Sequence, residues 1–460
     1  MKNKERDPGR EASAPGEAKG LRAGLRRFGE KPSNRLLVLF ALEGVLLQYV
    51  ASINGFGNNL YATNLGATPS QIALNQTIPN LTAVLLMLPA GLLSDRMRSA
   101  KTVPVSMLLF MGTMYIGFGT VPALGANRMI FYFVFLAMTA GLIAAYNAQW
   151  QNLFAAAVVP GEQNRTYAFR NRLMFAVGTL SPLICGQAMS HFLTPDGKLG
   201  VLRVFYYISA AFLFLQAFIL SRMKVRPNLD AGKRFSLKDA GELFTGLARN
   251  RKFLFFFGSV LLFYLGWHID WSMWYIGETR YLGMTEAHLS YFTALCSVFQ
   301  LLGIGFWAKV NQKKSIHFSL PFGLFGLLLC PVTIMAAHAI GGDAGRWFFM
   351  IVGSAENFPQ ACIALCILQM LLAVIPDRNR ALTISLYTMT ITLSNSLMPL
   401  LGVRIFNAFG GETEAFYIFN SIVFVWRFLS TSLFVFRYRL YRKKPELFTL
   451  SDEERVGPAS

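Results

Sequence analysis

Apolar runs of about 20 residues, each long enough to cross ~30 Å of hydrocarbon as a helix, recur along almost the whole chain. Twelve such spans are expected, at about 36–56, 70–94, 102–121, 129–150, 170–192, 203–221, 252–277, 289–309, 316–340, 346–374, 382–408 and 415–438. Charged residues fill 15% of 460 positions, against roughly 25% in an ordinary soluble domain, and Phe alone supplies 41. The pattern predicts an all-α polytopic membrane protein embedded in a lipid bilayer.

A net charge of +19 is compatible with nucleic-acid binding until the positions of the bases are considered. The tails and loops on the same side as the N-terminus hold 36 of the 43 Lys and Arg residues, and the opposite side holds five. Arg404 and Arg427 fall inside spans. Such a bias is a topology signal, which puts both termini in the cytoplasm and removes the need for a nucleic-acid partner. An even number of crossings agrees.

Residues 1–35 are polar, basic and Pro/Gly-containing, and are expected to form a disordered cytoplasmic tail. The run beginning at Leu36 is too long for a signal-peptide core and is expected to remain as the first span. All five cysteines lie within spans and no CxxC occurs, so neither disulfide nor metal is expected. No cofactor motif appears.

Between the sixth and seventh spans lies the one long interior polar stretch, 222–251, with nine bases over residues 222–252. Leu237, Leu243, Phe244 and Leu247 share a helical face there, which predicts a short amphipathic helix on the membrane surface. This linker separates a six-span unit at 36–221 from another at 252–438, and a second tail follows at 439–460. The units echo each other. LGATPSQI at 65–72 matches LGMTEAHL at 282–289, and VVPGEQNR at 158–165 matches VIPDRNR at 374–380. Repeats of this kind suit two pseudo-symmetric six-helix bundles with a binding site near mid-membrane where they meet.

GLLSDRMRSAK at 91–101 breaks the apolar pattern between the second and third spans. With Gly91, Leu93, Asp95, Arg96, Arg98 and Lys101, it resembles the G-x-L-x-D-R-x-G-R-K signature of the major facilitator superfamily; the second glycine is replaced. The resemblance covers about 36–438 and implies a transporter working as a monomer. It also implies that Asp95, an acid at the negative end of a helix dipole, meets the start of helix 11 near Ala381 to Thr383, with Arg378 and Arg380 nearby. That contact would close the cytoplasmic side at ~1–2 kcal/mol.

Acids inside spans are functional candidates, because carrying a charge to the bilayer centre costs at least a few kcal/mol. Glu43, Asp270 and Glu356 fall on helices 1, 7 and 10, which the resemblance places around a central cavity with helix 4. Gln48, Asn54, Gln149 and Asn357 add polar groups on the same helices. Glu43 is either a coupling group or a structural hydrogen bond between helices. Glu356 is a candidate to carry a proton or to bind a cationic group. Trp267 and Trp271 recur at helical spacing and either pack in the core or stack on a sugar ring or flat cation, whereas Trp274 and Tyr275 suit the interfacial belt. His268 and Asp270 point in different directions. Arg427 has no evident partner. NGFGNNLY at 54–61 reads as an unwound, ligand-facing end or an exit loop.

These residues predict a secondary transporter for a small organic solute in the cytoplasmic membrane, driven by protons. No P-loop is present. In the fifth span VGTLSPLICG keeps Pro182 and Gly186 but has Ser181 and Cys185 where drug antiporters of the resembled family carry glycines, so symport and antiport both stay open. Two rivals are a transporter-like sensor or scaffold, and an acyltransferase using His338 and Asp343 as an HxxxxD pair.

Overall fold

The computed structural model describes residues 32–225, 249–375 and 380–449. Most of the expected N-terminal tail, the linker helix and the end of the C-terminal tail lie outside these residues. Every long element among the described residues is a helix, as a lipid-embedded backbone requires when no water is available to take its hydrogen bonds.

Twelve spans follow in order. In the first half they are α1 (Pro32–Asn64), α2 (Pro69–Arg96), α3 (Thr102–Thr120), α4, α5 (Pro160–Ser190) and α6 (Pro195–Ser221). In the second half they are α7, α8 (Glu286–Lys313), α9 (Ile316–Ile340), α10, α11 (Arg380–Ala408) and α12 (Thr413–Lys443). Three are interrupted. The α4 span consists of Arg128–Leu136, a π-helical turn Ala137–Gly141 and Leu142–Ala157. The α7 span consists of Arg251–His268, Trp271–Ile276 and a π turn Gly277–Tyr281. The α10 span consists of Gly342–Phe348, a π turn Phe349–Gly353 and Asn357–Val374. Among the described residues 11 segments are long and apolar enough to cross a membrane. The twelfth span, α2, is 28 residues long.

The repeat seen in the sequence is a repeat in space. Thr68 caps α2 and Thr285 caps α8, each through a reciprocal bond with the residue three positions on, Gln71 and His288. Before each cap stands a glycine in the left-handed region, Gly66 at φ 89° and Gly283 at φ 62°, where a Cβ would be strained. An arginine from the first turn of α4 or the first segment of α10, Arg128 or Arg346, lies beside each of these glycines. The π turns of α4 and α10 also correspond, AMTAG and FMIVG, each ending in glycine.

NGFGNNLY is neither unwound nor a loop: it stays helical to the end of α1. Its amides bind neighbouring helices. Tyr132 donates to Asn58 O at 2.9 Å, Tyr206 donates to Asn58 Oδ1 at 2.9 Å, and Asn75 donates to Asn59 Oδ1 at 2.9 Å. Gly57 leaves room for Leu202 and Tyr206 of α6.

Packing divides by depth. One apolar core runs through the first bundle and continues into the second through Ile269, Met273, Leu289, Phe349, Met398 and Phe406, all near the end of the molecule away from the termini. The other half of the second bundle, around Phe256, Leu324, Cys366 and Phe434, forms its own core. The bundles are therefore joined at the far end. Large apolar side chains such as Leu85, Ile184, Leu302, Phe325 and Leu429 stay exposed around the outside, as a lipid-facing surface would leave them.

Candidate functional site

The α7 helix stops at His268 and restarts at Trp271, with Asp270 at the break. Gly402 of α11 makes the close approach possible, because a Cβ there would collide with Ile269 O. At this break Asp270 accepts two hydrogen bonds from Arg427 Nη2, at 2.7 and 2.8 Å. Arg427 also donates from Nε to Gly266 O at 3.3 Å and from Nη1 to Leu327 O at 2.9 Å. The arginine without an evident partner thus fastens α12 to α7 and α9. Both charged side chains are 5% exposed, and the pair neutralises itself in a medium where either charge alone would be costly.

This pair forms part of the wall of a cavity of about 260 Å³. Trp267, Trp271 and Trp274 of α7 line it, opposite Phe292 and Cys296 of α8. Asn357 and Gln360 of α10 supply amides, and Leu327 and Cys330 of α9 close another side. Four of the residues expected from the sequence therefore come together: Trp267, Asp270, Trp271 and Asn357. Trp274, Phe292, Cys296, Gln360 and Arg427 were not among the expected site residues. The belt reading of Trp274 and Tyr275 is corrected: Trp274 lines the cavity and packs against Phe349 at 5.3 Å, while Tyr275 is buried against Thr63 at 2.9 Å. Close packing of the two bundles at the far end takes these rings out of the interface. Gln360 was legible as one helical turn beyond Asn357. His268 and Asp270 do diverge, His268 Nδ1 lying 3.1 Å from Ser394 Oγ.

Glu356 occupies the one-residue break before Asn357, buried but turned away from the cavity toward α9. Thr333 donates to its Oε1, and Oε2 has no partner. Helix packing forces this position. Gly303 of α8 meets Phe358 O, and Gly323 and Gly326 of α9 meet Cys362 and Pro359, so α10 is gripped on two sides by small residues.

The first bundle holds the other candidates. Glu43 is fully buried and accepts from Tyr146 at 3.0 Å, Gln216 at 2.8 Å and Arg170 Nε at 3.1 Å. The Arg170 guanidinium lies 4.0 Å from the centre of the Trp150 ring. Arg170 looks like one of the basic residues near the tail side, and nothing in its spacing pairs it with Glu43. Gln48 donates to Ser52 at 3.0 Å. Asn54 is buried with both side-chain polar atoms unpartnered, and Gln149 is buried with an unpartnered Oε1. None of these four lines the cavity between the α7 tryptophans and α10.

At the signature between α2 and α3, Arg98 is exposed. Lys101 donates to Ser221 O at 2.7 Å and Met223 O at 3.2 Å, closing the carbonyl end of α6. The side chains of Gly91, Asp95 and Arg96 and residues 376–379 lie outside those described, and the expected contact of Asp95 with them.

At the far end the bundles meet through polar groups. Thr77 donates to Ser396 O at 2.6 Å and Ser396 donates back to Thr77 O at 2.9 Å, joining α2 to α11. Lys198 pairs with Glu286 at 2.7 Å, and Gly186 of α5 leaves space for Ser290 and Glu286 O of α8. His338 meets Tyr417 at 2.8 Å and Asp343 pairs with Arg346, so the HxxxxD residues bond to other partners. Among the described residues no cluster of three or more His, Cys, Asp or Glu is arranged to hold a metal.

The family model described as Major Facilitator Superfamily matches residues 40–367. A comparison with curated protein sequences finds no match. Among solved structures, a bacterial homologue of the iron transporter ferroportin, inward-facing, is 15% identical with a TM-score of 0.64, covering 88% of this chain and 98% of its own. An inward-facing, unoccupied bacterial homologue of the lysosomal transporter Spinster is 14% identical with a TM-score of 0.63, covering 94% of this chain and 100% of its own. A D-xylose–proton symporter is 12% identical with a TM-score of 0.64, covering 92% of this chain and 99% of its own. At these identities the likeness is one of fold.

Proposed function

This chain belongs to the major facilitator superfamily, as a transporter and not an enzyme, and we propose that it carries a small organic solute across the cytoplasmic membrane by proton-coupled alternating access. Both termini then face the cytoplasm, as the basic loops favour. The observation that carries the coupling is Glu356: a buried carboxylate at a helix break, with one oxygen held by Thr333 and the other unpartnered. A proton on the free oxygen removes an isolated charge from the low-dielectric interior, and its departure restores that charge. Cys330, Cys296 and the Asp270–Arg427 pair are the titratable or charged groups around it. The solute enters the adjacent cavity, whose lining comes from the second bundle, and rocking of the bundles opens it to one side or the other.

The joined far end supports a resting state open toward the cytoplasm. Asp95 and its basic neighbours then serve the opposite closure, made when the far end separates. Glu43 fits a structural role, holding α1 to α4, α5 and α6 through Tyr146, Arg170 and Gln216.

Solute flux into or out of vesicles, with and without a pH gradient, tests this reading. A gradient should drive accumulation, and Glu356→Gln should abolish that drive while leaving exchange of solute across the membrane. Normal gradient-driven flux with unchanged pH dependence in Glu356→Gln would remove the coupling assignment, and a sensor or scaffold would show no flux at all.

A further inference from the structure

We infer that the cavity takes a neutral, hydroxyl-bearing ring of about monosaccharide size, and not a cation or an anion; this rests on the cavity being the solute site. Size comes first. A volume of about 260 Å³ lies just below the ~300–1,000 Å³ of pockets that hold drug-sized ligands, so a single ring fits. The wall chemistry then selects among single rings. Three indoles and Phe292 offer flat apolar faces, which suit either the C–H face of a sugar or a flat cation.

The charges on the wall separate those two. Asp270 is the carboxylate lining the cavity, and both its oxygens already face Arg427, which lines it too. A cation seeking Asp270, or an anion seeking Arg427, has to compete with a buried partner at hydrogen-bond distance and leave the displaced charge uncompensated. A neutral solute needs no such exchange. The carboxylate retains lone pairs, and of the five guanidinium hydrogens one on Nη1 is not committed to Gly266, Leu327 or Asp270. Two amides extend the same service. Asn357 donates to Ser354 O and Gln360 to Cys330 Sγ, which leaves both carboxamide oxygens to accept from hydroxyls. Glu356 is held by Thr333, Glu278 is buried in the π turn of α7 beside Trp274, and neither lines the cavity. The recognition surface is thus aromatic planes rimmed by paired donors and acceptors, with no net charge.

The test uses the full chain in lipid nanodiscs, reading quenching of tryptophan fluorescence together with thermal shift. The probes are D-glucose and D-xylose as single neutral rings, uridine as a neutral solute of two rings, tetraethylammonium and N-methylpyridinium as cations, and benzoate as an anion. At least one neutral ring should bind, saturably and at least tenfold more tightly than any charged probe; sugars against uridine then decide which kind of ring. Trp271→Ala should weaken that binding at least tenfold. The double variant Asp270→Asn with Arg427→Gln keeps the wall neutral and should keep the preference for neutral rings, whereas Asp270→Asn alone should gain affinity for benzoate. Tighter binding of a charged probe, or no binding by any neutral ring, overturns the inference. A charged solute that is carried under a pH gradient would leave the transport reading standing and this one fallen; a neutral ring that binds but is never carried would do the reverse.

Discussion

Arg427 Nη2 lies 2.7 and 2.8 Å from the two carboxylate oxygens of Asp270, which binds the last helix of the chain to the break in the seventh. Removing one partner leaves a buried charge. Arg427→Gln or Asp270→Asn should each cost about 3–5 kcal/mol of stability, and the double variant should recover most of that loss. Thermal unfolding of the purified single and double variants checks this. Additive losses in the double variant would mean that the two side chains do not compensate each other.

A second buried pair makes a parallel prediction in the first bundle. Arg170→Gln strands Glu43 and should destabilise the protein by about 3–5 kcal/mol. Tyr146→Phe removes one hydrogen bond to the same carboxylate and should cost about 1.5–3 kcal/mol. Neither should move the pH dependence of flux, because Glu43 is assigned here to helix packing. A shifted pH profile in Tyr146→Phe would return Glu43 to the coupling machinery.

Lys198 and Glu286 stand 2.7 Å apart across the joined ends of the two bundles. With cysteines at both positions, a bifunctional methanethiosulfonate long enough to replace the two long side chains should lock that end and stop flux, and a reducing agent should restore it fully. Each single cysteine variant should transport at near the normal rate, since an ion pair with part-exposed partners contributes roughly 0–1 kcal/mol. Unchanged flux through a cross-linked chain would show that this end need not open.

At Gly186 α5 lies against α8 with no room for a side chain. A valine there would press on Ser290 and Glu286 O and should favour the state separated at the far end. Alkylation of a cysteine placed at Thr77 or Ser396, whose hydroxyls bridge the bundles, should then speed up at least severalfold. An unaltered labelling rate would mean that the helices accommodate the side chain without parting.

Span number and the twofold echo were legible because each depends on local composition: a run of apolar residues has to cross lipid wherever its neighbours fold. The echoed segments 65–72 and 282–289 hold the caps Thr68 and Thr285, which the echo located without identifying them as caps. The cavity was half legible. Trp267, Asp270, Trp271 and Asn357 announced themselves as polar or aromatic groups deep in spans, but the facing of each helix is set by contacts between spans far apart in sequence. Asp270 and Arg427 are 157 residues apart, and no period links them. Trp274 sat close enough to a span end to look interfacial, and the breaks in α7 and α10 depend on close approaches such as Gly402 to Ile269 and Gly326 to Pro359. NGFGNNLY misled for a related reason: amides and glycines that look loop-like serve as contact points between helices.

The central claim is that two bundles rock about a shared centre, opening one end as they close the other. Spin labels at Leu193 and Ala287 report the far end, and labels at Arg98 and Lys314 report the end that carries the termini. Distances measured in lipid at high and low pH, with and without a bound neutral ring, should give two populations at each end. The longer far-end distance should rise in step with the shorter distance at the other end. Distributions that stay single and fixed at both ends under all four conditions would contradict the account.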